Sequence, residues 1–235
     1  MIVHASCRDR LTPEDFQFVI ESLSRDREDR LSLKELLIDE EHRDSILDLD
    51  PVYQSLMESP DFIRVSPHLY FYVLTRRALK QSDIDDRILA DYIASLLVAF
   101  TRRAGRRVPG SQLWPYLSDL LIQMSKVGPS ERFLLRAQVA DTTLFLSGIF
   151  AQRVQAVCER RGGPNLSFYE QMGQSNYYYA SRDKRAEEGS LNETFEKLSY
   201  YFKEVRLALN SMSEGCLHMS AEDQWAGSII NDFSS

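Results

Sequence analysis

Helix-start signals recur along this chain and constrain its fold more than any other feature. The segment "LTPEDF" places Thr12 before Pro13, with acidic residues in the first turn, and "VSPHLY" places Ser66 before Pro67. A threonine or serine N-cap accepts a backbone N–H bond, and the fixed φ angle of proline suits the first helical position. Regular polar–apolar alternation and the Asn-Gly or Asp-Gly pairs of β-hairpins do not occur in the sequence. We therefore predict an all-α fold.

The helical segments are separated by few firm loops, of which "GRRVPGSQLWP" and "GGPNLS" are the clearest. We expect eight to ten helices in a single bundle-like domain. The predicted segments are about 12–23, 32–47, 67–81, 83–104, 115–126, 130–161 with a bend near Gly148, 167–181 and 191–212, with a shorter one from Asp50.

Charge divides the chain into three parts. Residues 1–62 carry 7 basic and 16 acidic side chains, residues 63–185 carry 18 and 10, and residues 186–235 carry 3 and 9. We interpret residues 1–62 as an acidic helical region, 63–212 as the helical core and 213–235 as an acidic tail that docks or is partly disordered. The basic middle either binds an anionic partner or packs against the chain's own acidic ends.

The sequence favours a cytoplasmic protein. The longest apolar run, "IASLLVAF", is far shorter than the roughly 18 residues that a membrane span needs. The N-terminus becomes charged before an apolar signal-peptide region could form. The three cysteines, Cys7, Cys158 and Cys216, lie far apart, and such a sparse, odd number is typical of a reducing compartment. We therefore expect no membrane association.

His68 is the first candidate for chemistry. It follows Pro67 in a segment, "HLYFYVLTRRAL", that is apolar on nearly every side. Burial and the free N–H groups of the helix start both disfavour a protonated imidazole, so we expect a neutral ring that could bind a metal or act as a base. Metal-ligand patterns such as HxxxH are not present nearby. A hydrogen-bonded core histidine is the favoured interpretation.

Two acidic residues lie in apolar surroundings, Asp91 in "ILADYIASLL" and Asp141 in "LLRAQVADTTLFL". Because an unpaired buried carboxylate is costly, each needs a partner. Arg76 or Arg77 could reach Asp91 if the two helices of that region form an antiparallel hairpin, and Arg136 precedes Asp141 on its own helix. Separate interhelical salt bridges are the favoured interpretation, and a shared polar pocket is the alternative.

A tyrosine-rich segment, "NLSFYEQMGQSNYYYAS", extends that alternative. Its helical spacing places Tyr169, Gly173, Tyr177 and Ala180 on one face. Tyrosine lines pockets and interfaces but also lies at the edge of hydrophobic cores. The candidate ligand-binding residues are His68, Asp91, Arg136, Asp141 and Tyr169.

Metal binding and calcium binding have only weak support. Asp39 and His42 form a single Asp-x-x-His match without a second copy. The segment "SRDREDRLSLKE" resembles an EF-hand loop in shape, but Ser24 replaces the first aspartate and Asp29 stands where glycine is needed. A capping box that begins at Ser32 explains the same letters. We therefore predict no metal and no cofactor.

Nucleic-acid binding and common catalytic chemistries are also disfavoured. The arginine-rich "TRRAGRR" has no recognisable nucleic-acid module beside it, and the sequence pI is near 5.2. The chain contains neither a GxSxG nucleophile elbow nor a GxxxxGK phosphate loop. Nucleic acid is thus an unlikely partner, and the sequence leans away from an enzyme.

Three segments, "SPHLYFYVLTRRAL", "ERFLLRAQVADTTLFLSGIF" and "NLSFYEQMGQSNYYYAS", look like those of a group of bacterial helical proteins of unassigned function. The resemblance covers most of residues 12–212 and excludes the acidic tail. It implies one cytoplasmic all-α domain and supplies no activity, ligand or catalytic residue.

Taken together, these patterns favour a non-enzymatic, cytoplasmic helical protein that binds another protein or itself. The tail supports this hypothesis because it carries Trp225, Ile229, Ile230 and Phe233 among acidic residues, a spacing that suits a docking helix. The alternative is an enzyme or small-ligand or organic-cofactor-binding protein that uses the polar pocket around His68.

Overall fold

The computed structural model of the protein describes residues 3–58, 65–104 and 117–217. Over these ranges the regular secondary structure is α-helical apart from a short 3₁₀ turn at Arg8–Arg10, and no strand occurs. The all-α prediction is confirmed. The predicted boundary at residues 62 and 63 and most of the predicted tail lie outside the described residues.

Thirteen α-helices occur in the described part of the chain, more than the eight to ten expected. They are α1 (Pro13–Leu23), α2 (Arg27–Leu36), α3 (Glu40–Leu47), α4 (Asp50–Glu58), α5 (Pro67–Gln81), α6 (Arg87–Ala104), α7 (Leu117–Lys126), α8 (Pro129–Ile149), α9 (Ala151–Arg161), α10 (Leu166–Ser181), α11 (Lys184–Glu188), α12 (Asn192–Tyr200) and α13 (Phe202–Leu217).

The predicted helix 32–47 is wrong, because two helices occupy that region. Asp26 is the N-cap of α2, and Ser32 lies inside the helix, where its Oγ donates to the Glu28 carbonyl at 3.3 Å. A second cap follows at Asp39, whose carboxylate accepts the His42 backbone N–H at 3.0 Å and starts α3. The acidic caps therefore determine both starts, and the expected capping box at Ser32 does not form.

Short interruptions account for the other additional helices. The predicted 130–161 segment is split at Phe150, close to the expected bend, and the predicted 191–212 segment is split at Tyr201. Both residues leave helical geometry, with ψ angles of 34° and 18°. Gly148 lies two residues before Phe150, whereas no proline or glycine lies within ten residues of Tyr201, so no comparable signal marks the second break. The short helix α11 was not predicted.

The chain forms two compact units, which differs from the single domain expected. One comprises residues 5–98, and the other comprises residues 99–217 together with residues 3 and 4, as far as the structure describes them. The division falls inside α6. The acidic N-terminal helices and the predicted central helix 67–81 therefore belong to one unit.

In the unit of residues 5–98, one buried carboxylate joins two helix starts. Asp15 is the third residue of α1 and completes a capping box with Thr12, whose backbone N–H it accepts at 2.8 Å. The same carboxylate accepts the Ser66 backbone N–H and hydroxyl, both at 2.6 Å. Ser66 in turn caps α5 by accepting the Leu69 N–H at 3.3 Å. The predicted caps at Thr12 and Ser66 are confirmed and are connected through Asp15.

In the unit of residues 99–217, α8 is the central helix and contacts α7, α9, α10 and α13. The core between these helices includes Tyr177, Phe195 and Phe202, each fully buried. Glycine at position 173 allows α10 to approach α13 closely, because a Cβ there would lie 2.0 Å from the Phe202 ring. This packing leaves one side of α10 exposed.

Candidate functional site

Asp91 binds the N-terminal segment of its own unit. Its carboxylate accepts the Cys7 backbone N–H at 2.6 Å and the Arg8 Nε–H at 3.1 Å, and Arg8 also pairs with Asp44. Burial raises the pKa of the Asp91 carboxyl, although these hydrogen bonds act to lower it. Asp91 is only 3% exposed. Its hydrogen bonds hold the segment around Cys7 and Arg8 against α6. The expected pairing of Asp91 with Arg76 or Arg77 is therefore wrong.

Arg76 instead lines a cleft of about 200 Å³ in the same unit. It donates to Asp48 through Nε and Nη2, both at 2.9 Å, and also pairs with Asp85. The neighbouring Arg77 pairs with Asp50 and lies over the Tyr53 ring at 4.7 Å. The arginines of the cleft are thus already neutralised by carboxylates. The cleft is therefore a network of ion pairs and is poorly suited to binding an anion.

Asp141 is held by a tyrosine from the neighbouring helix. The Tyr177 hydroxyl donates to its carboxylate at 2.7 Å, and both residues are buried. Arg136, which the sequence placed beside Asp141, lies over the Tyr179 ring with Cζ 4.3 Å from the ring centre. Asp141 therefore belongs to the hydrogen-bonded core, whereas Arg136 stacks on a tyrosine at the surface.

The remaining predicted residues are buried to different degrees. His68 is the second residue of α5, as expected, and is 7% exposed. Tyr169 lies near the start of α10, where burial raises the pKa of its hydroxyl. Of the five candidate residues, His68 and Asp91 belong to the unit of residues 5–98, and Arg136, Asp141 and Tyr169 belong to the other.

A row of stacked side chains, from α8, α10 and the C-cap residue of α10, is the most distinctive surface feature of the larger unit. Arg182 lies 4.4 Å above the Tyr178 ring, Tyr178 meets Tyr179 edge to face at 5.5 Å, and Arg136 lies 4.3 Å above the Tyr179 ring. The two tyrosines are 44% and 56% exposed. We call Arg136, Tyr178, Tyr179 and Arg182 the tyrosine–arginine surface.

Sequence reasoning concentrated on the buried face of α10 and missed this surface. Successive residues of an α-helix point about 100° apart, so three consecutive tyrosines cannot all face the core. Tyr177 is fully buried, and Tyr178 and Tyr179 are exposed. The three consecutive tyrosines therefore already indicated that at least one of them would be exposed. No feature of the sequence indicated that Arg136, on α8, would lie against Tyr179.

Over residues 3–58, 65–104 and 117–217, no group of three or more His, Cys, Asp or Glu is placed to hold a metal ion. The Asp39–His42 match is a helix cap, in which the carboxylate contacts both the backbone N–H and the ring Nδ1 of His42. Within the same ranges no single helix is long and apolar enough to cross a membrane; α8 and α9 pass such a test only together, with a bend of 91° between them.

Comparison with protein-family models, curated proteins and solved structures gives no match to this chain. The similarity to bacterial helical proteins of unassigned function therefore stays a prediction. What bears on function is the geometry of the described residues: buried carboxylates that bond within their own units, a cleft of paired charges, and the exposed tyrosine–arginine surface.

Proposed function

We propose that this protein is a non-enzymatic binding protein whose tyrosine–arginine surface binds an acidic segment of a partner protein. The observation that carries this proposal is the continuous row from Arg182 through Tyr178 and Tyr179 to Arg136, with spacings of 4.4, 5.5 and 4.3 Å. Tyrosine and arginine are the residues most enriched, with tryptophan, at the energetic centres of protein interfaces. Cytoplasmic location and bacterial origin remain predictions.

The two arginines are available to a partner. Within the described residues, neither Arg136 nor Arg182 forms a salt bridge or side-chain hydrogen bond; each is held only by its tyrosine ring. Stacking orients a guanidinium while leaving its N–H groups free to donate at its edge. A carboxylate can then accept two parallel N–H bonds, a geometry that arginine matches well. The surface is therefore suited to carboxylates flanked by apolar side chains.

Nucleic acid fits the same surface less well. Single-stranded nucleic acid binds by stacking bases on open aromatic rings. Here each tyrosine already has an arginine over one face and a tyrosine edge beside it.

The alternative function, a ligand or organic-cofactor pocket around His68, has weaker support. Asp91 accepts bonds from Cys7 and Arg8, and Asp141 accepts a bond from Tyr177, so both carboxylates serve internal contacts. This alternative remains a hypothesis.

Two designed helical peptides of equal length and equal leucine content test the proposal, one with glutamate and one with lysine at its polar positions. Fluorescence anisotropy of the labelled peptides should show that the protein binds the glutamate peptide and that added salt weakens binding. The double variant Arg136→Glu/Arg182→Glu should bind it at least about tenfold more weakly, as should Tyr178→Ala/Tyr179→Ala.

Arg160→Glu is the matched control, because Arg160 is an exposed arginine of α9 outside the surface. It should bind the glutamate peptide within about twofold of the wild type. Equal binding of both peptides, or equal weakening by Arg160→Glu and Arg136→Glu/Arg182→Glu, would rule out the proposed surface.

A further inference from the structure

We propose that the acidic partner is a second copy of this chain, which presents residues 35–41 to the tyrosine–arginine surface. This inference rests on the proposed function and adds the identity of the partner. We call residues 35–41, with the sequence ELLIDEE, the acidic corner.

The acidic corner connects α2 and α3 and exposes a large apolar side chain. Ile38 is 83% exposed, the highest fraction among the large apolar residues of the described ranges, and Leu36 is 41% exposed. Leu37 between them is 6% exposed and holds the corner against its own unit. An isoleucine exposed to this extent, beside a second exposed apolar residue, gains by burial against another surface.

The same corner carries four acidic residues and no basic one. Asp39 is engaged in capping α3, and Glu40 pairs with Arg43 at 3.2 Å while its side chain stays 78% exposed. Glu35 and Glu41 are exposed, and within the described residues their carboxylates accept no hydrogen bond. At least two carboxylates are therefore free to accept from a partner's guanidinium groups.

The two surfaces complement each other in both charge and polarity. The acidic corner offers exposed carboxylates near Ile38. The tyrosine–arginine surface offers, beside Tyr178 and Tyr179, two guanidinium groups that have no carboxylate partner among the described residues. Apolar contact with the tyrosine rings and ion pairs with the flanking arginines can form together. Complementary charge at such an interface speeds association and selects the partner.

This association joins two different surfaces. The acidic corner belongs to the unit of residues 5–98, and the tyrosine–arginine surface belongs to the unit of residues 99–217. Contacts between different patches build closed rings, of which the smallest is a dimer, or open chains. In such an assembly the acidic corner of one copy contacts the tyrosine–arginine surface of another copy.

Two full-length variants test this arrangement. Arg136→Glu/Arg182→Glu blocks the tyrosine–arginine surface, and Ile38→Ser/Glu41→Lys blocks the acidic corner. Sedimentation velocity of the wild type should show masses that increase with concentration. Each variant alone should stay monomeric at the same concentrations, whereas an equimolar mixture should form a one-to-one heterodimer, because each variant retains the surface that the other lacks.

A wild type that stays monomeric, or a mixture that forms no heterodimer, would overturn the self-association. The glutamate peptide separates this failure from failure of the proposed function. If self-association fails while the wild type still binds the peptide, the tyrosine–arginine surface stands and only the second copy is excluded as its partner. All four substituted side chains are at least partly exposed, so circular dichroism should show unchanged helix content.

Discussion

Tyr177 donates a hydrogen bond of 2.7 Å to Asp141, which joins the buried faces of α10 and α8. The Tyr177 ring also contacts Phe195 and Phe202, with ring centres 5.4 and 6.2 Å away. One tyrosine thus satisfies a buried carboxylate and fills the core. Its neighbours in sequence, Tyr178 and Tyr179, face outward and form the candidate binding surface.

Removing the Tyr177 hydroxyl should destabilise the protein. Tyr177→Phe keeps the ring but deprives Asp141 of a buried donor, so we expect the free energy of unfolding to fall by about 1–3 kcal/mol. Urea denaturation followed by circular dichroism measures the change. Tyr178→Phe is the control, because that tyrosine is 44% exposed, and it should change the free energy by less than about 0.5 kcal/mol. Equal effects would contradict the role of Tyr177 in the core.

Asp91 should make the stability of the protein depend on pH. Its pKa is raised in the folded state, so the fold binds the Asp91 proton more tightly than the unfolded chain does. The folded state is therefore favoured as pH falls through the folded pKa, and this gain is complete below the unfolded value of about 3.9. The unfolding free energy of the wild type, relative to Asp91→Asn, should increase between about pH 7 and pH 4.

Urea denaturation of the wild type and Asp91→Asn across that pH range measures the difference in their unfolding free energies. The contributions of the other titrating groups largely cancel in this difference. A difference that decreases as pH falls would show that the Arg8 and Cys7 hydrogen bonds outweigh burial at Asp91.

Arg76 should contribute much more to stability than its neighbour Arg77. The Arg76 side chain is 3% exposed and makes two 2.9 Å bonds to Asp48, whereas the Arg77 side chain is 35% exposed. Arg76→Met removes a buried partner, and we expect a loss of about 2–4 kcal/mol, reduced because Lys80 also approaches Asp48. Arg77→Met should cost less than about 1 kcal/mol. Thermal denaturation of both variants compares the two losses of stability, and a larger loss for Arg77→Met would contradict the prediction.

Gly173 should tolerate no larger residue while Phe202 is present. A Cβ at Gly173 would lie 2.0 and 2.2 Å from two Phe202 ring carbons, so Gly173→Ala should cost about 1–3 kcal/mol. Adding Phe202→Leu should recover part of the loss, since the smaller side chain relieves the clash. Gly215→Ala is the matched control, because no described atom lies within 4 Å of a Cβ there, and alanine should be neutral or slightly stabilising. Calorimetry distinguishes these outcomes.

Local signals predicted the helix starts well where one cap dominates. Thr12 and Ser66 cap α1 and α5 as expected, because a cap depends on only a few neighbouring residues. At Ser32 two local motifs competed, and Asp26 starts the helix instead. The break at Phe150 lies two residues from the bend expected near Gly148, whereas the break at Tyr201 was missed because that residue does not disfavour a helix strongly.

The candidate sites were predictable only in part. Isolated carboxylates in apolar surroundings correctly indicated that Asp91 and Asp141 are buried, each 3% exposed. Their donors were not predicted, because Arg8 precedes Asp91 by 83 residues and Tyr177 follows Asp141 by 36. A helical period indicates which side of a helix is buried but not which residue of another helix lies against it.

Periodicity and capping chemistry are properties of neighbouring residues, so the sequence alone determined the all-α class, several helix starts and the burial of the acidic positions. Contacts between distant segments depend on how the helices pack, and that packing alone decided that Arg8 meets Asp91, that Arg76 meets Asp48 and that Arg136 stacks on Tyr179. Packing of α10 through Tyr177 also turned Tyr178 and Tyr179 outward, where Arg136 and Arg182 stack on their rings, because a helix that buries one side exposes the other.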